Sequence, residues 1–203
     1  MRPETVLAFD TSAAHCAAAL LLPDGHCLTV LEPMEKGQAE RLMPLLAGLL
    51  DRAGLHRQAL TRIGVGTGPG NFTGVRIAVA GARGLALGLG IPAIGVTRLE
   101  AQAFGLPRPL LVAEDARRDE AYVQGFDLPE FETAQLMPLA ALPLAPHRSG
   151  SAIADGLPPA MPLAEAVARI AATRPLPAPR PAPFYLRGAD AAPPADPPPV
   201  ILP

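Results

Sequence analysis

The feature that most restricts the fold is the order of segments in the first hundred residues. Three apolar runs of strand length come first, "TVLAFD" (5–10), "HCAAALLL" (15–22) and "HCLTVLE" (26–32), the last two joined through the turn signal "PDG" at 23–25. A three-four repeat follows at Leu42, Met43, Leu46, Leu49, Leu50 and Ala53 and stops at Gly54, which predicts a helix. Pro44 falls inside that repeat, where proline removes a backbone hydrogen bond at about 3 kcal/mol. The helix is therefore expected to kink at Pro44 or to begin near it. "RIGVG" (62–66) reads as a buried strand, residues 73–89 as a second helix, and "PAIGVT" (92–97) as a fifth strand. The order strand, strand, strand, helix, strand, helix, strand is that of a ribonuclease H-like lobe, a mixed sheet with helices packed on it. "LLVAED" (110–115) and "EAYVQGF" (120–126) make a further hairpin that opens a second, smaller lobe.

Proline distribution sets the expected divisions of the 203 residues. Eighteen of the 26 prolines fall in 129–203, so long irregular connections are expected there, with "RPLPAPRPAP" (174–183) and "APPADPPPVILP" (192–203) reading as polyproline linker or tail. The resulting division is 1–105 for the ribonuclease H-like lobe, 106–190 for a short, proline-rich second lobe and 191–203 for a tail. Net charge is −2 and Lys36 is the sole lysine among 17 basic residues, which excludes the footprint of a stand-alone nucleic-acid binder. Contact with RNA is expected to need a partner. No basic opening leads into an apolar leader and no apolar run reaches bilayer length, so the expectation is a cytoplasmic chain without membrane contact. Cys16 and Cys27 stand in apparent strands at no metal or redox spacing and read as buried free thiols.

"GTGPGNFTGVR" (66–76) sits between a strand and a helix, where phosphate loops lie. A Walker loop needs a lysine that is absent here, and the dinucleotide pattern fails because Asn71 stands at its last glycine. Sugar-kinase-like and actin-like folds instead grip phosphates between two glycine-bearing turns with acids for the metal; "DTSAA" (10–14) has no glycine, and "GPGNFTG" has no acid. Asp10, Thr11, Ser12, Gly68, Gly70, Asn71 and Thr73 thus have the shape of a phosphate site without its chemistry. Gly68 and Gly70 are expected to permit the tight turn, and Asn71 or Thr73 to cap the helix. His15, His26, His56 and His147 show no paired spacing, the hydroxyl residues make no nucleophile elbow, and no metal site can be written. "DARRDE" (115–120) places Asp115 and Arg117 at a hairpin tip, facing either solvent or a ligand.

The second helix has two usable faces. Val75, Ala78, Val79, Ala82, Leu85, Ala86 and Leu89 form a core stripe. Gly74, Ile77, Gly81, Gly84 and Gly88 form a second row, whose glycines cost about 1 kcal/mol each relative to alanine unless another backbone approaches closely. That backbone belongs either to a partner or to the lobe's own sheet and first helix.

"LAFDTSAAHCAAALLLPDG", "GQAERLMPLLAGLL", "GVGTGPGNFTGVRIAVAGARGLALGLGIPAIGVTRLEA" and "DARRDEAYVQGF" together resemble the TsaB (YeaZ) family, and "PFYLRG" (183–188) resembles its closing segment. The resemblance runs through 5–126 and is weaker over 127–182. It implies an α/β, actin-like and sugar-kinase-like two-lobed fold with mixed sheets and a decayed nucleotide site, and a non-catalytic dimerization subunit in bacterial tRNA threonylcarbamoyladenosine synthesis. It also implies a heterodimer with TsaD, a ternary complex with the ATPase TsaE, a homodimer in isolation, tRNA reached only through the complex, and ATP used by partner subunits with no cofactor here. Contact is implied through helices 38–53 and 73–89, with Leu42, Met43, Leu46 and Leu49 on the first and Gly74, Ile77, Gly81, Gly84 and Gly88 on the second. Gln38 stands where the family and its catalytic relative often place a histidine, in keeping with a role without catalysis. The alternatives are an actin-like nucleotide-dependent kinase or transferase and, more distantly, a peptidase.

Overall fold

The computed structural model describes residues 4–187. Its first sheet is built from β1 (Val6–Asp10), β2 (His15–Leu21), β3 (Cys27–Pro33), β4 (Arg62–Gly66) and β5 (Ala93–Val96) in the order β3-β2-β1-β4-β5. The three-strand meander is antiparallel, while β4 runs parallel to β1 and β5 parallel to β4. The two parallel steps place α1 (Gln38–Arg52) and α2 (Phe72–Leu89) on one face. The second sheet orders β8 (Gln135–Pro138), β7 (Glu120–Phe126), β6 (Leu110–Asp115) and β9 (His147–Ser149), with α3 (Arg98–Ala103) between the two sheets in sequence. The chain is thus α/β and two-lobed with mixed sheets, as the segment order and the resemblance led one to expect.

β1 reads as an unbroken apolar run because both its faces are covered. Leu7 and Phe9 point into the core under α1 and α2; Val6 and Ala8 point to the opposite face, with Ala17, Ala19, Ile94 and Val96. That opposite face is covered by α4 (Leu163–Thr173), a helix in the proline-rich third that sequence position assigns to the second lobe. Its prolines lie outside the helix, Pro162 at the N-cap and Pro175 beyond the end, where they start and stop it without breaking it. Ala164, Val167, Ala168 and Ala171 lie against a sheet of equally small residues. A Cβ on Gly64 would stand 3.1 Å from both Ala171 Cβ and Ala8 Cβ, so the approach is close. Small side chains on both sides dock an alanine helix onto the first sheet, and the expected long irregular connection gives way to a regular element there.

α1 begins at Gln38, six residues before Pro44, and continues past it. The proline and Glu40, whose carbonyl loses its donor, are both exposed, so water can take up the bond. α3 is fixed by a reciprocal cap that the sequence "TRLE" encodes and the pattern reading passed over: Thr97 Oγ1 accepts from Glu100 N, and Glu100 Oε2 accepts from Thr97 N at 2.8 Å. The segment after α4 follows the surface and ties the lobes together. Pro181 O accepts from Arg83 Nε, Phe184 N donates to Thr67 O, and Arg187 reaches Ala116 O and Glu120 Oε2 on the second lobe. The expected tail at 191–203 and the last residue of "PFYLRG" lie outside the described residues.

Candidate functional site

The two turns with the shape of a phosphate site close on each other. Thr11 Oγ1 donates to Gly74 O at 2.6 Å, and Asn71 N donates to Ser12 O at 2.6 Å. Asn71, not Thr73, caps α2, its side chain accepting from Gly74 N at 2.9 Å; Thr73 is exposed. Gly68 has a φ of 88°, the left-handed conformation expected of the turn, whereas Gly70 is needed for space: a Cβ there would collide with Ser12 O. Gly74 is likewise closed off by Thr11 O. The glycines of this loop admit the chain's own backbone where a phosphate loop would admit a ligand, and the polar groups an anion would need bond to each other.

Asp10 anchors this closure. It is 1% exposed, and its Oδ1 accepts from Ser12 N, Ser12 Oγ and His15 Nε2 at 2.9–3.0 Å, while Oδ2 packs against Gly66. Burial opposes ionisation, but the His15 ring and the Ser12 donors outweigh it and hold the Asp10 carboxyl below the ordinary carboxylate range. The spacing of histidines had hidden this aspartate, histidine and serine cluster, because its members meet across a single turn. In a nucleophilic triad the histidine lies between serine and acid; here the acid lies between the other two, so the His15 ring bonds to Asp10 and not to the Ser12 hydroxyl. Cys16 is buried and Cys27 only partly so; burial pushes both thiols up to about 11, away from nucleophile range.

Between the lobes lies a cleft of about 860 Å³. Ser12, Gly70 and Phe72 line it from the first lobe; Glu114, Arg117 and Tyr122 line it from the second. Glu114 is buried, accepts from Ser151 Oγ at 2.7 Å and pairs with Arg98 Nε at 3.0 Å. The β6–β7 tip facing this space holds three consecutive non-glycine residues in left-handed backbone, Arg117, Arg118 and Asp119, with φ of 56–61°. Such a conformation costs roughly 1–2 kcal/mol per residue, and the tip is stitched by Ala116 N to Glu120 O and by Arg117 N to Asp115 Oδ1. Among the described residues no group of three metal-ligating side chains comes together.

The expected interface residues divide. Leu42, Leu46 and Leu49 are almost wholly buried in the first lobe's core, joined by Leu45, so they hold α1 to its own sheet. Gly74 faces Thr11, and Gly81 faces α1, where a Cβ would stand 3.1 Å from Met43 Cε and 3.3 Å from Leu42 Cδ2. Ile77 is half-buried against the same core. What stays open is Gly84 and Gly88, where no described residue lies within 4 Å of an added Cβ, together with Met43 at 43% and Leu87 at 83% exposed. A groove of about 490 Å³ runs here between Met43, Arg57, Gly81, Gly84, Leu85 and Gly88. By length and composition α2 could cross a membrane, contrary to the reading that no run is long enough; Val75, Ala78, Val79, Ala82 and Ala86 instead pack into the core.

Residues 32–137 match the family model of TsaD, the tRNA N6-adenosine threonylcarbamoyltransferase. YeaZ from Pseudomonas aeruginosa is 36% identical in sequence and superposes with a TM-score of 0.62 over 72% of this chain and 75% of that one. The chain belongs to the TsaB (YeaZ) family. The tRNA threonylcarbamoyladenosine biosynthesis protein TsaB of Escherichia coli K12 is 37% identical over 122 residues, 58% of this chain and 52% of that protein. A further Pseudomonas structure, of an uncharacterized protein described as similar to a peptidase YeaZ, is 34% identical with a TM-score of 0.63, covering 72% of this chain and 74% of that one. This TsaB-family chain spans about half the length of the curated relatives it matches.

Proposed function

We propose that the chain is a cytoplasmic, non-catalytic subunit of the machinery that makes tRNA threonylcarbamoyladenosine. It docks on a TsaD-like transferase through the open groove between α1 and α2, meets tRNA only within that assembly, and leaves ATP to partner subunits such as TsaE. One observation carries the reading: among the described residues no side chain or backbone covers the outer half of the glycine row, Gly84 and Gly88, which lies beside exposed Met43 and Leu87. Glycine in a helix costs about 1 kcal/mol against alanine, and a second helix packed into the row offsets that cost through close backbone contact. The closed turns at 10–12 and 68–74 support a role without phosphoryl transfer, and the Ser12, Asp10 and His15 arrangement gives no support to a peptidase.

The test is size-exclusion chromatography with light scattering on the chain alone and mixed with its cognate TsaD. A defined complex that restores threonylcarbamoyl transfer with TsaE and ATP is the expected result. Gly84→Leu is expected to weaken association about tenfold or more while the melting temperature holds. An unchanged affinity in that variant, or no complex at all, removes the groove from consideration.

A further inference from the structure

We propose that the outer edge of β3 pairs with β3 of a second copy of this chain, joining the two first sheets into one across a two-fold axis. β3 is the longest of the four strands that end the two sheets: it has 7 residues, against 4 in β5 and β8 and 3 in β9. The hydrogen bonds at either end of its ladder with β2 fix which groups face outward. Leu22 N donates to His26 O at 2.8 Å and Met34 N to Ala14 O at 3.0 Å, so the even-numbered residues bond to β2. The odd-numbered ones, Cys27, Thr29, Leu31 and Pro33, turn their backbone groups to the edge, where no hydrogen bond from another described residue reaches them.

Edges of this length are ordinarily blunted by lysine, by proline or by a covering segment. Here proline comes only at the last residue of the strand, and Leu31 stands 62% exposed. α1 packs chiefly over β2, and α4 chiefly over β1, β2 and β4, so both helices lie inboard of the edge.

A strand that meets its own copy must be self-complementary, and the register centred on Thr29 meets that demand. Thr29 then faces Thr29 of the second copy, and Cys27 faces Leu31 of the second copy. Every N–H and C=O of these three residues is paired, and Pro33, which has no N–H, falls beyond the ladder. The same register sets Leu28 beside Val30 and His26 beside Glu32 in the non-bonded pairs, where side chains come closest. Glu32 already accepts from Arg41 of its own chain at 2.6 Å, and a carboxylate has lone pairs left for a second donor. The neighbouring registers are poorer. Centring on Val30 leaves the Cys27 carbonyl facing Pro33 and sets Glu32 against Leu28. Centring on Leu28 runs Leu31 onto Gly25, whose N–H is already bonded to Leu22 O. None of the residues lining the groove between α1 and α2 lies on β3, so this pairing leaves the groove free, unlike the helix contact that the resemblance implies for a homodimer.

The experiment is sedimentation velocity of the full chain alone, from micromolar to millimolar concentration. A dimer is expected, and Thr29→Pro and Leu31→Lys are each expected to weaken it about tenfold or more. Thr29→Pro removes an outward N–H only, so the β2–β3 ladder keeps its bonds and the melting temperature of the monomer is expected to hold. Gly84→Leu is expected to leave the dimer intact. On a Cys27→Ala background, Thr29→Cys is expected to give a disulfide-linked dimer under mild oxidation, since facing residues of a bonded antiparallel pair have Cα atoms about 5.5 Å apart, within disulfide range. Leu31→Cys on the same background is expected not to cross-link, its mate lying about 13 Å away along the strand. A monomer at every concentration overturns the proposal, as does a dimer unaffected by Thr29→Pro or cross-linked through Leu31→Cys and not through Thr29→Cys. A dimer lost in Gly84→Leu places self-association at the groove and overturns it too. TsaD is absent throughout, so the outcome is independent of the association proposed above.

Discussion

The two halves of the glycine row on α2 have the same composition and opposite surroundings. Gly74 and Gly81 face the chain itself, one against the Thr11 carbonyl and the other against Met43 and Leu42, whereas Gly84 and Gly88 face open space. At the inner end glycine lets the helix start pack onto the β1–β2 turn. At the outer end nothing among the described residues requires it, and none of them compensates its helix cost. Small residues on a helix thus mark close approach without saying whose backbone approaches. The distinction becomes visible only when the atoms within reach of a Cβ are known.

The largest expected effect breaks the inner half. Gly74→Val drives a branched side chain into backbone that cannot rotate away, and a loss of about 4 kcal/mol, or failure to fold, is expected in urea denaturation. Leu49→Ala tests whether α1 is core or interface at that position; burial predicts a loss of about 3 kcal/mol. A stability change near zero with weakened partner binding would return Leu49 to the interface. Smaller, and confined to the inner half, is the effect of acid. The folded-state pKa of Asp10 lies below its unfolded value, so its contribution is present above an unfolded pKa of about 3.9 and is lost as pH falls through the folded value. Urea midpoints from pH 6 downward are expected to show this fall, reduced in His15→Ala.

Next comes the outer half: Gly84→Ala adds a methyl into open space and is expected to raise stability by about 1 kcal/mol. A loss of stability instead would mean that this face is covered within the chain. The smallest effect is expected of Arg41→Ala, which removes the exposed pair with Glu32 and should leave the urea midpoint unmoved at moderate salt.

Much of the first lobe was legible in advance, because seven of its segments carry strong local signals. The strand runs, the "PDG" turn and the second three-four repeat each fix one element within a residue or two of its observed ends, whereas the first repeat begins at Leu42, four residues after α1 starts. α4 escaped because proline abundance was averaged over 75 residues, while the helix needs only the eleven between Leu163 and Thr173 to be free of it. The cluster of Asp10, Ser12 and His15 escaped for a different reason: a spacing rule for histidines looks for other histidines, and these three meet by a turn of the chain. At the candidate interface the periodicity placed Leu42, Leu46 and Leu49 on a buried face but carried no information about whether the chain or a partner buries it.

Sequence alone determined the order of elements from β1 to β5, the α/β class and the loss of recognisable phosphate-loop chemistry, since these follow from local propensity and from which residue types are present. Tertiary structure decided which surfaces remain open. Whether Gly84 is a contact or a gap, whether Gly70 meets a ligand or Ser12, and whether the outer edge of β3 is covered all depend on distances between segments far apart in the chain. Such distances are set by packing the whole core at once, and no local pattern encodes them.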